Sequence, residues 1–572
     1  MDEQNKITYF AETDARNKKV KFGIKAEDRL RHIYSIGKTG MGKSTMLENM
    51  AIQDIQNGEG MAFLDPHGKT ADLLLEYIPE HRIKDVIYFA PFDTEYPISF
   101  NVMEDVGPMK RHLVLSGLMS AFEKVFGEES FSDRMQYILQ NTILALLEYP
   151  GATMLGINKM LSDKVYRNKV IANITDSSVK DYWVKEYAGY TERFAAEAIP
   201  AIQNKVGQFT SNPLIRNIIG QTKSSFEMRK IMDEKKILIV NLSKGLLGES
   251  NANLLGSMLV TKLYLAAMSR ADASPAEMKK LPNFYLYVDE FQSFANKSFA
   301  DILSEARKYK LSLNITHQYI EQMEEEVRAA VFGNVGTMVT FRVGSYDAEI
   351  LEKEFAPVFV MEDLVNLGQF QIYLKLMIDN VASQPFSAST LPSIPKPERS
   401  FQKEVLDMSR INYTSPKQQV EKSITDWHEE GQKREEKKEE TKPPKSEYKP
   451  EPRLEPKPAP KLEPRALAKA LETVMKEKPV VPAPKVVQEV KRPEPKPISL
   501  EALKSQGRDD KNNNKEATEK NKNALKDALS KIKSTPVPAP APVAPPKPEP
   551  APTPKNNIKE IPEDVLKKVL NG

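Results

Sequence analysis

The segment Ile33–Ser44, IYSIGKTGMGKS, constrains this chain more than any other. Ile33, Tyr34 and Ile36 suit a short buried strand, and Thr45-Met46-Leu47 opens a helical pattern behind it. Between them lies Gly37-x-x-x-x-Gly42-Lys43-Ser44. Strand, glycine loop and helix in that order are the context a phosphate-binding loop requires. Gly37, Gly40 and Gly42 permit the tight turn that aims backbone N–H groups inward at a phosphate chain. The helix that follows adds the positive end of its dipole. The run Gly37, Lys38, Thr39, Gly40, Met41, Gly42, Lys43, Ser44 and Thr45 is therefore the expected nucleotide cradle. In it Lys43 is expected to reach the β- and γ-phosphates, and the Ser44 hydroxyl to hold Mg²⁺. ATP and Mg²⁺ are the expected cofactors.

A chain of 572 residues has room for several domains and a large core. It contains no cysteine, which excludes disulfides and thiolate metal sites. The net charge of +3 is too small to imply a polyanionic partner by itself. There is no signal segment and no apolar run of membrane-spanning length; the longest, Leu254–Met268, is interrupted by Lys262 and reads as a packed helix. A cytoplasmic location follows as the expectation.

Short apolar runs recur around the glycine loop. Val20–Ile24 reads as a strand before it. Gly60–Leu64 ends in Asp65-Pro66-His67-Gly68, and Val86–Phe89 follows. Strands alternating with helices predict a parallel sheet with its ligand site at the carboxyl strand ends. At such an end DPHG is either a plain turn or part of the site. Further on, Lys236–Leu242 resumes the sheet, and Phe284–Val288 delivers Asp289 and Glu290. A buried strand ending in two acids downstream of a phosphate loop is expected to place Asp289 in the Mg²⁺ shell and Glu290 on the attacking water. Leu311–Thr316 ends in His317-Gln318. Gln318 is neutral and both donates and accepts, which suits a γ-phosphate sensor beside the acid-bearing strand. Thr337–Val343 carries Arg342, and Phe370–Leu376 alternates like a final edge strand. A helix over Ala300–Tyr309 ends in Arg307-Lys308, which on local grounds are ordinary cationic helix-end residues.

From about Met109 to Phe226 the strand-like runs give way to amphipathic stretches such as His112–Val125 and Met135–Leu147. The fold class expected is α/β: a P-loop NTPase (RecA-like) with a central, mainly parallel sheet, an all-α insertion domain and a disordered C-terminal tail. The boundaries read as follows: residues 1–105 form the first half of the nucleotide domain, 106–235 the insertion, and 236–400 the second half. Residues 401–429 form a packing helix with Val420, Ile424 and Trp427 on one face, and 430–572 the tail. Of 41 prolines, 25 lie beyond Glu429 among Lys, Glu and Ala, a composition that does not bury enough surface to order itself. Helical islands at Ala466–Lys476, Ser499–Lys504, Ala524–Lys533 and Pro562–Leu570 are either partner-binding motifs or plain linker. In the insertion, Lys159, Lys164, Arg167, Lys169 and Lys205 are either a nucleic-acid face or a solvated surface.

Taken together, RHIYSIGKTGMGKS, DPHG, YLYVDEF, EARK, ITHQ and FRVGSYDAE resemble the HerA/FtsK group of ring-forming motor ATPases. Within it they are similar to the conjugative coupling proteins of type IV secretion, the TraD/TraG kind, over roughly residues 20–428. That resemblance implies an all-α domain interrupting the nucleotide domain, an arginine finger at Arg307 and the γ-phosphate glutamine at Gln318. It further implies a DNA-translocating ATPase, hexameric and largely indifferent to base sequence, with secretion-channel or relaxosome-like proteins as partners. This chain departs from the family pattern in lacking amino-terminal membrane helices, so any place at the inner face of the membrane has to come through partners. Its proline-rich tail is a second departure. Three other functions stay open: a HerA-like DNA-processing helicase or translocase, a secretion ATPase handling protein, and a nucleotide-gated adaptor.

Overall fold

The computed structural model describes residues 6–440 except 15–17, 105, 128 and 130. In chain order its strands are β1 (Ile7–Glu12), β2 (Lys21–Lys25), β3 (Ile33–Ile36), β4 (Gly60–Asp65), β5 (Val86–Phe89), β6 (Ile237–Asn241) and β7 (Phe284–Val288). There follow β8 (Leu311–His317), β9 (Thr337–Thr340), β10 (Gln371–Lys375), β11 (Met377–Ile378), β12 (Val381–Ala382) and β13 (Phe386–Thr390). Six of these, β3, β4 and β6 to β9, are buried along their whole length, so the sheet they build must be covered on both faces. Eleven strands form one sheet in the order β2-β1-β13-β10-β9-β3-β8-β7-β4-β6-β5, with β11 and β12 a separate hairpin. The seven strands from β9 to β5 run parallel. The four from β10 to β2 extend the sheet antiparallel.

Two expectations are corrected by this topology. Phe370–Leu376 is not a final edge strand: β10 lies between β9 and β13, and the edges are β2 and β5. The described residues before Ile33 hold two strands, not one, because β1 folds back on β2 with an irregularity between Tyr9 and Ala11.

On one face, the helices Lys43–Gln56 and Lys69–Glu76 bury Met46, Met50 and Leu74 against Phe63, Ile239 and Tyr287. The other face carries Leu64, Val240 and Leu286, which share a core with Leu118, Phe122, Leu255 and Met258 of two long helices, Arg111–Phe126 and Glu249–Ser269. These two helices approach so closely that a Cβ on Gly117 would stand 2.3 Å from Thr261 Cγ2. Between Phe89 and Ile237 the described residues contain helices and no strand. Their starts are written in the sequence: Ser132, Asp163, Asp176 and Asn212 each cap a helix by accepting from its first free N–H groups. Residues 401–429 hold two helices rather than one, Gln402–Tyr413 and the first half of Lys417–Glu440. In the second, Val420 and Ile424 pack with Leu155 and Trp427, against the helical segment rather than the sheet. The expected tail helices lie outside the described residues.

A buried ion pair ties the first face together. Arg29 makes two bonds to Asp54 of the Lys43–Gln56 helix, at 2.7 and 2.8 Å, and both partners are 1 % exposed. The Tyr287 hydroxyl joins the pair, and the Tyr285 ring lies 3.5 Å from the guanidinium. Burial works against the Arg29 charge, yet Asp54 and the two tyrosines hold its pKa above the ordinary value. At the amino end of β3, His32 accepts the Leu313 N–H at Nδ1 (3.1 Å) and meets the Leu303 carbonyl at Nε2 (3.2 Å). Its neutral ring is thus fully satisfied. Burial, with a small push from Arg307, lowers its pKa to about 4 against the pull of the Leu303 carbonyl.

Candidate nucleotide site

The glycine loop leaves β3 at the carboxyl edge of the parallel strands. Gly40 and Gly42 have φ of 78° and 115°, the left-handed region that glycine alone adopts freely. A side chain on Gly42 would also meet the Phe370 ring at 2.7 Å. Neighbouring elements brace the loop from outside. Gly37 N–H donates to the His317 carbonyl (3.2 Å) and Lys38 N–H to the Arg342 carbonyl (2.8 Å). The Phe370 N–H donates to the Met41 carbonyl (3.0 Å), and Gln369 Nε2 to the Gly40 carbonyl (3.0 Å). Two of the nine cradle residues, Gly37 and Lys38, therefore spend their amides on the loop's framework.

Lys43 is buried and donates to the carbonyls of Gly37 and Lys38. Burial lowers its pKa, opposed by the nearby charges of Glu290 and Asp289. Beside it, Ser44 Oγ donates to Asp289 Oδ2 at 2.9 Å, so the hydroxyl and the carboxylate that would hold a divalent cation already face each other. The other oxygen of Asp289 accepts from the Thr316 hydroxyl and from the Glu290 N–H. The register explains this contact: Val288 pairs with Ile315, which sets Asp289 beside Thr316.

Glu290 has φ 49° and ψ 53°, an uncommon conformation for a side-chain-bearing residue and one that costs energy. It turns the carboxylate off the end of β7 toward Gln292 and Gln318, which each donate a side-chain N–H to one of its oxygens. Gln318 in turn accepts from Thr39 Oγ1 of the glycine loop at 3.2 Å. One glutamine thus joins the acid to the phosphate loop. It can do so because β8 lies between β3 and β7.

Sequence reasoning placed Lys43, Ser44, Asp289, Glu290 and Gln318, and the structure gathers all five. It missed Thr316, Gln292 and the Gln369-Phe370 brace; a hydroxyl two residues before Gln318, on the strand that follows the acid-bearing one, was the available signal. Arg307 is elsewhere. It is exposed in the helical turn Ala306–Tyr309, before β8 begins. Gln318 lies beyond the far end of that strand, which at about 3.3 Å per residue puts the two roughly 20 Å apart. Arg342, by contrast, borders its own glycine loop. A plain turn accounts for DPHG: Asp65 accepts from the N–H groups of His67 and Ala71, and burial raises its pKa while those bonds lower it. Of the five cations singled out in the helical segment, Lys164 is exposed, while three others are engaged in packing. Lys159 donates to the Trp427 and His428 carbonyls, Arg167 to those of Met160 and Leu161, and Lys205 lies over the Phe126 and Phe131 rings.

Fold and site together define a P-loop NTPase. Residues 283–353, which run from β7 past β9, match the family model described as the TraM recognition site of TraD and TraG. Among solved structures, the bacterial conjugative coupling protein TrwBΔN70 is 14 % identical, covering 70 % of this chain and 96 % of its own, with a TM-score of 0.49. TrwB in complex with ADP and Mg²⁺ gives 16 % identity, 66 % and 89 % coverage and a TM-score of 0.48. VirB4 of Thermoanaerobacter pseudethanolicus gives 12 %, 68 % and 97 %, and 0.47. No curated protein matches the chain. Within that class, residues 283–353 are similar to the TraD and TraG coupling proteins. No helix among the described residues is long and apolar enough to cross a membrane.

Proposed function

We propose that this chain hydrolyses ATP to translocate DNA, in a conjugative or related type IV secretion step. The observation that carries the reading is the contact of Gln318 with both Glu290 and Thr39, beside the Ser44–Asp289 pair. Ser44 and Asp289 would hold Mg²⁺, whose charge would neutralise the triphosphate. Glu290, fixed by two amides, orients and deprotonates the attacking water. Lys43 offsets charge on the transferred group, and Gln318 reports its presence to both sides of the site. Arg307, too far to serve its own site, supplies its guanidinium to a neighbouring subunit's nucleotide, which implies a head-to-tail ring, a homohexamer by family resemblance. The match over residues 283–353 supports a relaxosome-class protein partner and, through it, recruitment to the inner face of the membrane.

A protein-handling secretion ATPase is the second reading, favoured by the engagement of Lys159, Arg167 and Lys205 in packing. ATPase rates with no DNA, single-stranded DNA and duplex, measured across protein concentration, decide between them. Stimulation by either DNA together with a more than linear rise in activity is expected. A rate that no DNA changes would transfer the case to the second reading.

A further inference from the structure

One cavity lies apart from the nucleotide site. It occupies about 970 Å³ beside the edge strand β5, between the loop before the Met228–Asp233 helix, the long Glu249–Ser269 helix and the end of the Gln402–Tyr413 helix. That volume is at the upper end of what ligand pockets hold, about 300–1,000 Å³. Its floor is apolar: Ile87, Phe100, Phe226 and Leu265 line it, with the Phe100 and Phe226 rings stacked 6.2 Å apart. Its rim is cationic, carrying Lys84, Lys110, Lys223, Lys230 and Lys262. Of these, Lys84, Lys110 and Lys223 have no ion-pair partner among the described residues. Lys230 has a long contact to Glu234 at 3.7 Å, and Lys262 reaches the Glu104 carbonyl at 3.4 Å.

We propose that this cavity docks an acidic peptide segment of a partner protein, anchored by one or two large apolar side chains. An apolar floor inside a ring of lysines recognises two features at once: a hydrophobic anchor that fills the hole and carboxylates that flank it. A nucleic acid meets only the second. Phosphodiester chains have no aliphatic anchor for the floor, whereas Glu104, Glu227 and Glu234 on the wall oppose either anion alike. The lysine stems add apolar contact along the peptide while their ammonium groups stay in water. This inference is independent of the nucleotide site, since no residue of the cavity belongs to it.

The test uses the full chain and three fluorescent probes: a twelve-residue Glu/Asp peptide with a central Phe-Leu, the same peptide with Ser-Ser in its place, and a twelve-nucleotide oligothymidylate. Anisotropy should show saturable binding of the first peptide, weakening with salt. The Lys110→Glu/Lys223→Glu double variant should bind it at least about tenfold more weakly. It should melt and hydrolyse ATP as the parent does, which separates lost docking from lost folding. The Ser-Ser peptide should bind about tenfold more weakly to the unaltered chain, which needs no protein variant at all. Peptide binding unaffected by the charge reversals, or no peptide binding, overturns the proposal. Oligothymidylate binding that alone depends on Lys110 and Lys223 also overturns it and makes the cavity a nucleic-acid contact.

Discussion

In the proposed mechanism Glu290 is the residue on which the chemistry turns, and its held geometry makes its loss easy to read. Glu290→Gln should keep nucleotide binding while turnover falls by about a hundredfold or more, measured by ATPase rate against binding of a labelled nucleotide. Unchanged turnover would remove Glu290 from the role of base. Thr316 acts one step further back. Without its hydroxyl, as in Thr316→Val, one Asp289 oxygen loses a donor, and the Mg²⁺ concentration needed for half-maximal activity should rise. His32 and His317 give a pH signature independent of catalysis. Burial lowers them to about 4 and about 3, with Lys43 and Lys124 adding to the fall at His317. A base with a depressed folded pKa takes up protons more readily when unfolded, so its contribution to stability is complete above the unfolded value of about 6.5 and is lost on acidification below it. Melting temperature should therefore fall as pH drops from about 6.5 toward 4, and His32→Gln should flatten part of that slope. The raised carboxyl of Asp65 pulls the other way, so the difference between variant and parent is the quantity to follow.

Among elements, the helix behind the glycine loop and the acid-bearing strand are fastened to each other by Arg29, Asp54 and Tyr287. Asp54→Ala would leave a buried guanidinium without its carboxylate, a loss of about 3–5 kcal/mol, whereas Tyr287→Phe removes one hydroxyl and should cost about 1–2 kcal/mol. Urea denaturation at low and high salt tests both; the loss should hardly change with salt, because buried pairs are poorly screened. Equal effects of the two variants would contradict the assignment of the pair as the main tie. None of this brace was legible in the sequence, since Arg29, Asp54 and Tyr287 are far apart in the chain and each is unremarkable locally. The parallel strands were legible because both their faces are buried, leaving uninterrupted apolar runs such as FYLYV. Sites at strand ends followed from that alone. The antiparallel extension was not: β10 alternates like an edge strand, and only its pairing with β9 and β13 makes it interior. Helix starts were marked by caps, while which cations faced solvent was invisible, because Lys159 and Lys205 are committed by aromatic rings contributed from other segments.

For the whole molecule, the trans role proposed for Arg307 would make activity a property of an assembly. Arg307→Ala should lower turnover about a thousandfold and spare nucleotide binding. Mixing it with Lys43→Ala should restore some activity, because each variant keeps the half-site the other lacks. A mixture that stays inactive in demonstrably mixed rings would refute a shared site. Removing residues 441–572, by contrast, should leave basal ATPase rate and melting temperature unchanged, since the core and the site described above lie outside that segment; a large loss in either would make the tail part of the fold. The same arrangement has a mechanical reading. β8 carries Gln318 just past one end and Arg307 just before the other, and every one of its seven residues is buried. Flanked by β3 and β7, it is a connecting rod with no joint. If subunits close into the proposed ring, a displacement of β8 at one nucleotide would also move the Arg307 turn that faces the next, so neighbouring sites would be coupled with no separate linking element.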